Sequence, residues 1–185
     1  MENNNEKSGL KIGVISLGCD KNRVDTEKML AKIKEKHEIT GDVEEADIII
    51  VNTCAFLSSS RKESVEEVLS AAEYKKSGSA KKLIVTGCLP QKFLKETEKG
   101  FPEADAFIGV SDYDKINEVI DRITDGERVS EVGAPRGECG TKRLLTTDGY
   151  AYLKIADGCD NHCTYCLIPK IRGKYRSVPV DDLLE

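Results

Sequence analysis

The chain has 185 residues, enough for one domain or for one domain and part of a second. With 39% hydrophobic and 33% charged residues a core is possible, but the longest apolar run, Ile48-Ile49-Ile50-Val51, is far too short to cross a bilayer. A net charge of -5 gives no general attraction to nucleic acid, and the polar start, Met1-Glu2-Asn3-Asn4-Asn5-Glu6-Lys7, has no signal-peptide core.

In chain order, residues 10–19 open as a strand that ends in Gly18 and Cys19. Residues 24–37 read as a helix, with Met29, Leu30 and Ile33 apolar at helical spacing. Residues 38–40 form a short strand, and residues 47–54 a buried one, apolar as in a parallel sheet covered on both faces. A helix over 59–75 follows, capped by Ser59 or Ser60, with Val65, Val68, Leu69 and Ala72 on its inner stripe. Residues 82–88 repeat the strand-then-cysteine form. Residues 91–99 read as a helix, 106–110 as a strand, and 113–123 as a last helix with Ile116, Val119 and Ile120 inward. This alternation predicts an α/β fold, a parallel sheet with helices on both faces, over residues 10–124.

Residues 125–149 are broken by glycines and read as a linker. Cys139 lies there without a cysteine neighbour and takes no role. Residues 151–156 alternate and read as a strand, leading into Gly158-Cys159-Asp160-Asn161-His162-Cys163-Thr164-Tyr165-Cys166. Beyond it Lys170, Arg172, Lys174 and Arg176 alternate, so an extended backbone would set all four on one side, as a solvated basic face or as a landing strip for an anionic or ribosome-associated partner. Neither His37 nor His162 has a partner spacing that suggests catalysis, and no Ser/His/Asp set or phosphate-binding glycine loop stands out.

Seven cysteines without an export signal point to the reducing cytosol and to metal binding, not disulfides. Three of them, Cys19, Cys54 and Cys88, end predicted strands. Ligand sites in parallel sheets lie beyond the carboxyl ends of the strands, so these thiols should converge on one rim. An iron–sulfur cluster, a zinc ion and a redox disulfide pair are the candidates there. Cys159, Cys163 and Cys166 form a second set, in which three soft thiolates on one loop suit iron. A structural zinc with His162 as fourth ligand is the alternative, although His162 adjoins Cys163 and so lacks the usual ligand spacing.

C-x-x-x-C-x-x-C with Tyr165 before its last cysteine resembles the motif of radical S-adenosylmethionine (SAM) enzymes. With the strand-end cysteines and the pairs Ile168-Pro169, Arg172-Gly173 and Arg176-Ser177, residues 10–177 resemble the radical SAM methylthiotransferases, which insert sulfur at a carbon and methylate it. The resemblance implies two 4Fe-4S clusters, an auxiliary one on Cys19, Cys54 and Cys88 and a radical-generating one on Cys159, Cys163 and Cys166. It also implies SAM bound at the open iron of the second cluster, with Tyr165 as a SAM contact, and an electron donor such as flavodoxin or ferredoxin.

Within the family, Ser16-Leu17-Gly18-Cys19-Asp20-Lys21-Asn22 is similar to the branch that modifies the β-carbon of an aspartate in a small-subunit ribosomal protein. The alternatives are the branch acting on a transfer-RNA adenosine, which alone would bring in nucleic acid, and a non-catalytic metal-binding or electron-transfer module. The implied setting is cytoplasmic, without a membrane partner. A radical SAM barrel wants on the order of 200 residues, so residues 150–185 would hold only its beginning and the chain alone would be inactive. That segment is expected to be weakly ordered or docked on the first domain, because an isolated strand cannot bury its apolar face.

Overall fold

The computed structural model describes residues 9–78, 80–136 and 142–184. Strands and helices alternate along the first part: β1 (Lys11–Ser16), α1 (Asp20–Ile33), β2 (Glu38–Thr40), β3 (Ile48–Thr53), α2 (Ser58–Ser77), β4 (Lys82–Gly87), α3 (Cys88–Gly100), β5 (Ala106–Ile108), α4 (Ile116–Thr124) and β6 (Val129–Glu131). The strands form one six-stranded sheet in the order β2-β1-β3-β4-β5-β6, every pair parallel. The expected α/β class therefore holds. All six residues of β3 are buried, as a strand covered on both faces requires. Its β-branched run Ile48-Ile49-Ile50-Val51 forms the middle of the core with Leu83, Ile84, Val85 and Phe107. No helix of the described residues is long and apolar enough to cross a membrane.

Several local expectations change. α1 begins at Asp20, not at residue 24, because Gly18 takes a positive φ of 88° that ends the strand and leaves Cys19 as the N-cap. α2 is capped by Leu57, without a side-chain hydrogen bond, instead of by Ser59 or Ser60. Its inner stripe is Ser64, Val68, Ala71 and Ala72, while Val65 and Leu69 are 38% and 46% exposed. The hydroxyl of Ser64 is held by the backbone of Cys54 on β3's exit, which fixes the helix rotation and turns residues 65 and 69 outward. Within 125–149, read as irregular, residues 129–131 join the sheet as β6; three residues carry too little pattern to announce a strand.

The rest of the described chain holds β7 (Ala156–Asp157), α5 (Ile168–Arg172), β8 (Arg176–Ser177) and α6 (Val180–Leu184). The strand expected over 151–156 is not formed; only Ala156 and Asp157 pair, antiparallel, with β8. The alternation there is inverted, with Leu153 and Ile155 59% and 61% exposed and Lys154 turned inward onto the carboxylates of Asp25 and Asp157. Charge pairing, not apolar burial, settles the orientation of this stretch. Of the two outcomes expected for it, docking is the one observed. Arg23 donates to the Tyr150 hydroxyl at 3.0 Å, and Lys154 and Arg172 meet buried Asp25 on α1; in the preceding segment Arg143 and Thr146 bond buried Glu27.

At the opposite rim Asp47 ties the starts of three strands. Its carboxylate accepts from the Lys11 backbone N–H (3.0 Å) and from Lys81 Nζ (2.8 Å), while its carbonyl accepts from the backbone of Lys81 and Lys82. The Lys81 hydrogen bond first, then that of the Lys11 N–H, hold its carboxyl below the usual carboxylate range against the opposing effect of burial. A depressed folded pKa means that the stabilisation is present above the unfolded value near 4 and lost as pH falls through the folded one. Asp47→Asn is expected to cost about 1 kcal/mol at pH 7, with the difference in urea midpoint from the parent chain narrowing below about pH 4.

Candidate metal centre at the carboxyl rim

β1, β3 and β4 are neighbours in the sheet, in register from Ser16 against Asn52 to Thr53 against Gly87. Parallel strands end on the same edge, so the three chain exits face one another there. Cys19, Cys54 and Cys88 line a single cavity of about 550 Å³, together with Phe56, Leu57 and Arg172. Cys54 and Cys88 are buried and Cys19 is exposed. The glycines before two of the cysteines are demanded by this crowding. A Cβ on Gly18 would lie 2.8 Å from the Cβ of Cys54 and 3.1 Å from its Sγ. Gly87, at φ 99°, leaves still less room: a Cβ there would lie 2.3 Å from Asn52 Oδ1 and 2.5 Å from the Thr53 carbonyl.

A buried polar group, unrecognised in the sequence, holds the three exits together. Asn22 lies one turn into α1, fully buried. Its Nδ2 donates to the carbonyls of Leu17 (3.1 Å) and Thr53 (2.9 Å), and its Oδ1 accepts from the Cys88 thiol at 3.5 Å. One side chain thus touches the approach to each cysteine. Asn52 Nδ2 donates back to the Asn22 carbonyl (3.1 Å) and to Thr26 Oγ1 (2.8 Å), and Ser64 clamps both backbone polar groups of Cys54. Asn22 sits three places after Cys19 in the quoted motif, but only its burial on the sheet reveals the role.

Burial pushes the Cys88 thiol up to about 11, against the pull of Arg172, whose Nη2 lies 3.7 Å from the sulfur. Arg172 also donates to Asn22 Oδ1 at 2.8 Å and to the Asp25 carboxylate. Burial works against its charge, but Asp25 and Cys88 outweigh that effect and raise its pKa. This inward turn corrects the expected basic strip. Residues 168–172 are helical, not extended, so Arg172 is buried while Lys170 and Lys174 are exposed. Four cations at alternate positions therefore do not share a face.

The second set lies on one loop beside the first. Gly158 lines the same cavity as Cys19, Cys54 and Cys88. Cys159 is half-buried, with its backbone N–H donating to the Gly173 carbonyl at 3.1 Å; Cys166 is half-buried, and Cys163 is exposed. Tyr165 is 86% exposed, and His162 takes a positive φ of 48° in the same loop. Cys139 lies outside the described residues.

Among the described residues no three cysteine, histidine, aspartate or glutamate side chains are gathered as a ready metal site. The first donor set nonetheless fits an iron–sulfur cluster in kind and placement. Three soft thiols reach one cavity from three loops; its other walls include the apolar Phe56 and Leu57, the cations Lys21 and Arg172 and the carboxylates Glu63 and Asp157, and the Arg172 charge beside Cys88 suits a thiolate-held, negatively charged group. The protons of these thiols must leave when a metal binds, because the thiolate is the ligand.

Residues 11–109 match the uncharacterized protein family UPF0004. The ribosomal protein uS12 methylthiotransferase RimO of Lachnoclostridium phytofermentans is 53% identical over 180 residues, which are 95% of this chain and 41% of that protein. Proteins of the same name from Clostridium tetani and from a Thermoanaerobacter species are 49% and 48% identical, over 95% and 94% of this chain and 40% of each relative. The chain thus spans about two fifths of the length of these relatives.

Proposed function

The chain belongs to the uncharacterized protein family UPF0004, and from its similarity to the RimO proteins we propose that it is the amino-terminal portion of a methylthiotransferase acting on ribosomal protein uS12. The observation that carries the reading is the convergence of Cys19, Cys54 and Cys88 on one cavity from three separate strand ends. The names of the similar proteins supply the substrate. The finer reading is a radical SAM enzyme of the cytoplasm that acts at the β-carbon of an aspartate and draws electrons from a flavodoxin or ferredoxin.

In this reading residues 10–124 are the auxiliary-cluster domain, 125–149 connect, and 150–185 begin the radical SAM domain. Two 4Fe-4S clusters and SAM would supply the sulfur and radical chemistry. The chain's own residues hold and shield them. Cys19, Cys54 and Cys88 bind the auxiliary cluster, Gly18 and Gly87 let the backbone close around it, and Phe56 and Leu57 give its rim an apolar wall. Cys159, Cys163 and Cys166 bind the second, and Tyr165, whose ring is exposed, would contact SAM. The names of the similar proteins favour this reading over the transfer-RNA alternative.

Anaerobic reconstitution with iron and sulfide tests the proposal. The chain is expected to bind about eight irons, and about four after either cysteine set is changed to serine. Uptake of about four irons or fewer, unaltered by serine at either set, would remove it.

A further inference from the structure

The segment that carries the second cysteine set places a cation against the first. Arg172 closes α5, six residues beyond Cys166 in the chain. Its buried guanidinium spans three groups of the amino-terminal part, with Nη1 on the Asp25 carboxylate and Nη2 between Asn22 Oδ1 (2.8 Å) and Cys88 Sγ (3.7 Å). Lys21, the other cation lining the rim cavity, is instead turned to the Ala156 carbonyl and Asp157. Asn22 fixes the position of both the sulfur and the guanidinium, so the N–H···S contact is held from two sides.

We infer that Arg172 is a positioning residue that holds the Cys88 sulfur and raises the reduction potential of a cluster bound by Cys19, Cys54 and Cys88. The inference rests on the preceding assignment of a cluster to those cysteines. An N–H donor and a full positive charge beside a ligating sulfur favour the reduced cluster, which carries one more negative charge. The guanidinium does not lose its proton, and low local polarity strengthens its effect. Because Arg172 belongs to the segment of the second cysteine set, docking of that segment sets the potential of the first centre.

The test uses the 185-residue chain with Cys159, Cys163 and Cys166 changed to serine, reconstituted anaerobically and titrated with an electron paramagnetic resonance readout. Arg172→Met is expected to shift the oxidised-to-reduced ratio at a fixed potential about tenfold towards oxidised, about 59 mV for one electron. Arg172→Lys keeps the ion pair with Asp25 but has no second arm for the sulfur, so a smaller shift in the same direction is expected. Lys154→Met removes a second buried cation of the same segment that does not touch Cys88, while Arg172 keeps its bonds to Asp25 and Asn22, and is expected to move the potential much less. An unchanged potential in both Arg172 variants, or an equal shift in Lys154→Met, overturns the inference. Failure of the parent chain to bind iron at all would instead remove the cluster assignment beneath it.

Discussion

Gly87→Ala is expected to destabilise the chain by about 3–5 kcal/mol, from backbone strain of about 1–3 kcal/mol together with overpacking of similar size. At φ 99° and ψ -150° Gly87 occupies a region that residues with a Cβ rarely adopt. The added methyl would also meet the Thr53 carbonyl at 2.5 Å and the Thr53 nitrogen at 2.9 Å. These backbone atoms cannot yield without breaking the pairing of β3 with β4, where Thr53 stands opposite Gly87. Nor can Asn52 swing aside, since its amide is bonded to Asn22 and Thr26 in the core. The melting midpoint should fall by about 10 °C, at about 2–4 °C per kcal/mol for a chain of this size. Cys88 follows directly, so iron uptake at the rim set should drop as well. Gly78→Ala is the comparison, because Gly78 also has a positive φ (86°) but nothing within 4 Å of an added Cβ. It is expected to cost only about 1 kcal/mol. Equal melting midpoints for the two variants would show that the rim backbone can yield.

Asp25→Ala is expected to release the segment that carries the second cysteine set. The carboxylate of Asp25 faces Lys154 at 2.8 Å and the guanidinium of Arg172, all three groups being wholly or largely buried. Removing it leaves two cations with Asp157 as their shared partner, at 2.7 Å from Lys154 and 3.6 Å from Arg172. Breaking a buried pair from one side costs about 3–5 kcal/mol, because the remaining charge is left without compensation. Undocking relieves that cost by returning both cations to water, so the loss should be local. Amide hydrogen exchange is expected to quicken over residues 154–176 while the strands of the sheet keep their protection. Exchange in that segment unchanged from the parent chain would show that other contacts hold it.

The two variants probe parts of the rim that differ in how far the amino-acid sequence foretold them. Continuous apolar runs such as Ile48-Ile49-Ile50-Val51 identify strands buried on both faces, and such strands are parallel because helices must cover both sides. Once the sheet is parallel its strand ends share one edge, so the meeting of Cys19, Cys54 and Cys88 follows from their place after each strand. Gly18 and Gly87 belong to the same inference, since close strand exits leave no space for a Cβ. These features were legible because each depends on local periodicity or on the topology that periodicity implies.

Other features depended on which distant surface each side chain meets. Asn22 is one polar residue near a helix start until burial sets the Leu17 and Thr53 carbonyls and the Cys88 thiol around it. On α2, Val68 and Ala72 face inward as expected but Val65 and Leu69 do not, because Ser64 is drawn inward by the backbone of Cys54 and no helical period records that attraction. The basic alternation after Cys166 looked solvated, yet Arg172 is buried because Asp25, far away in sequence, draws it onto α1. Residues 151–155 alternate like a strand but remain without strand partners, so ion pairs decide which way they face. Local pattern determined the strands, the helices and the rim on which the cysteines meet. Only the tertiary structure decided which buried polar and charged groups pair across that rim, because desolvated charges and amides must find partners wherever the fold supplies them, whatever their distance in sequence.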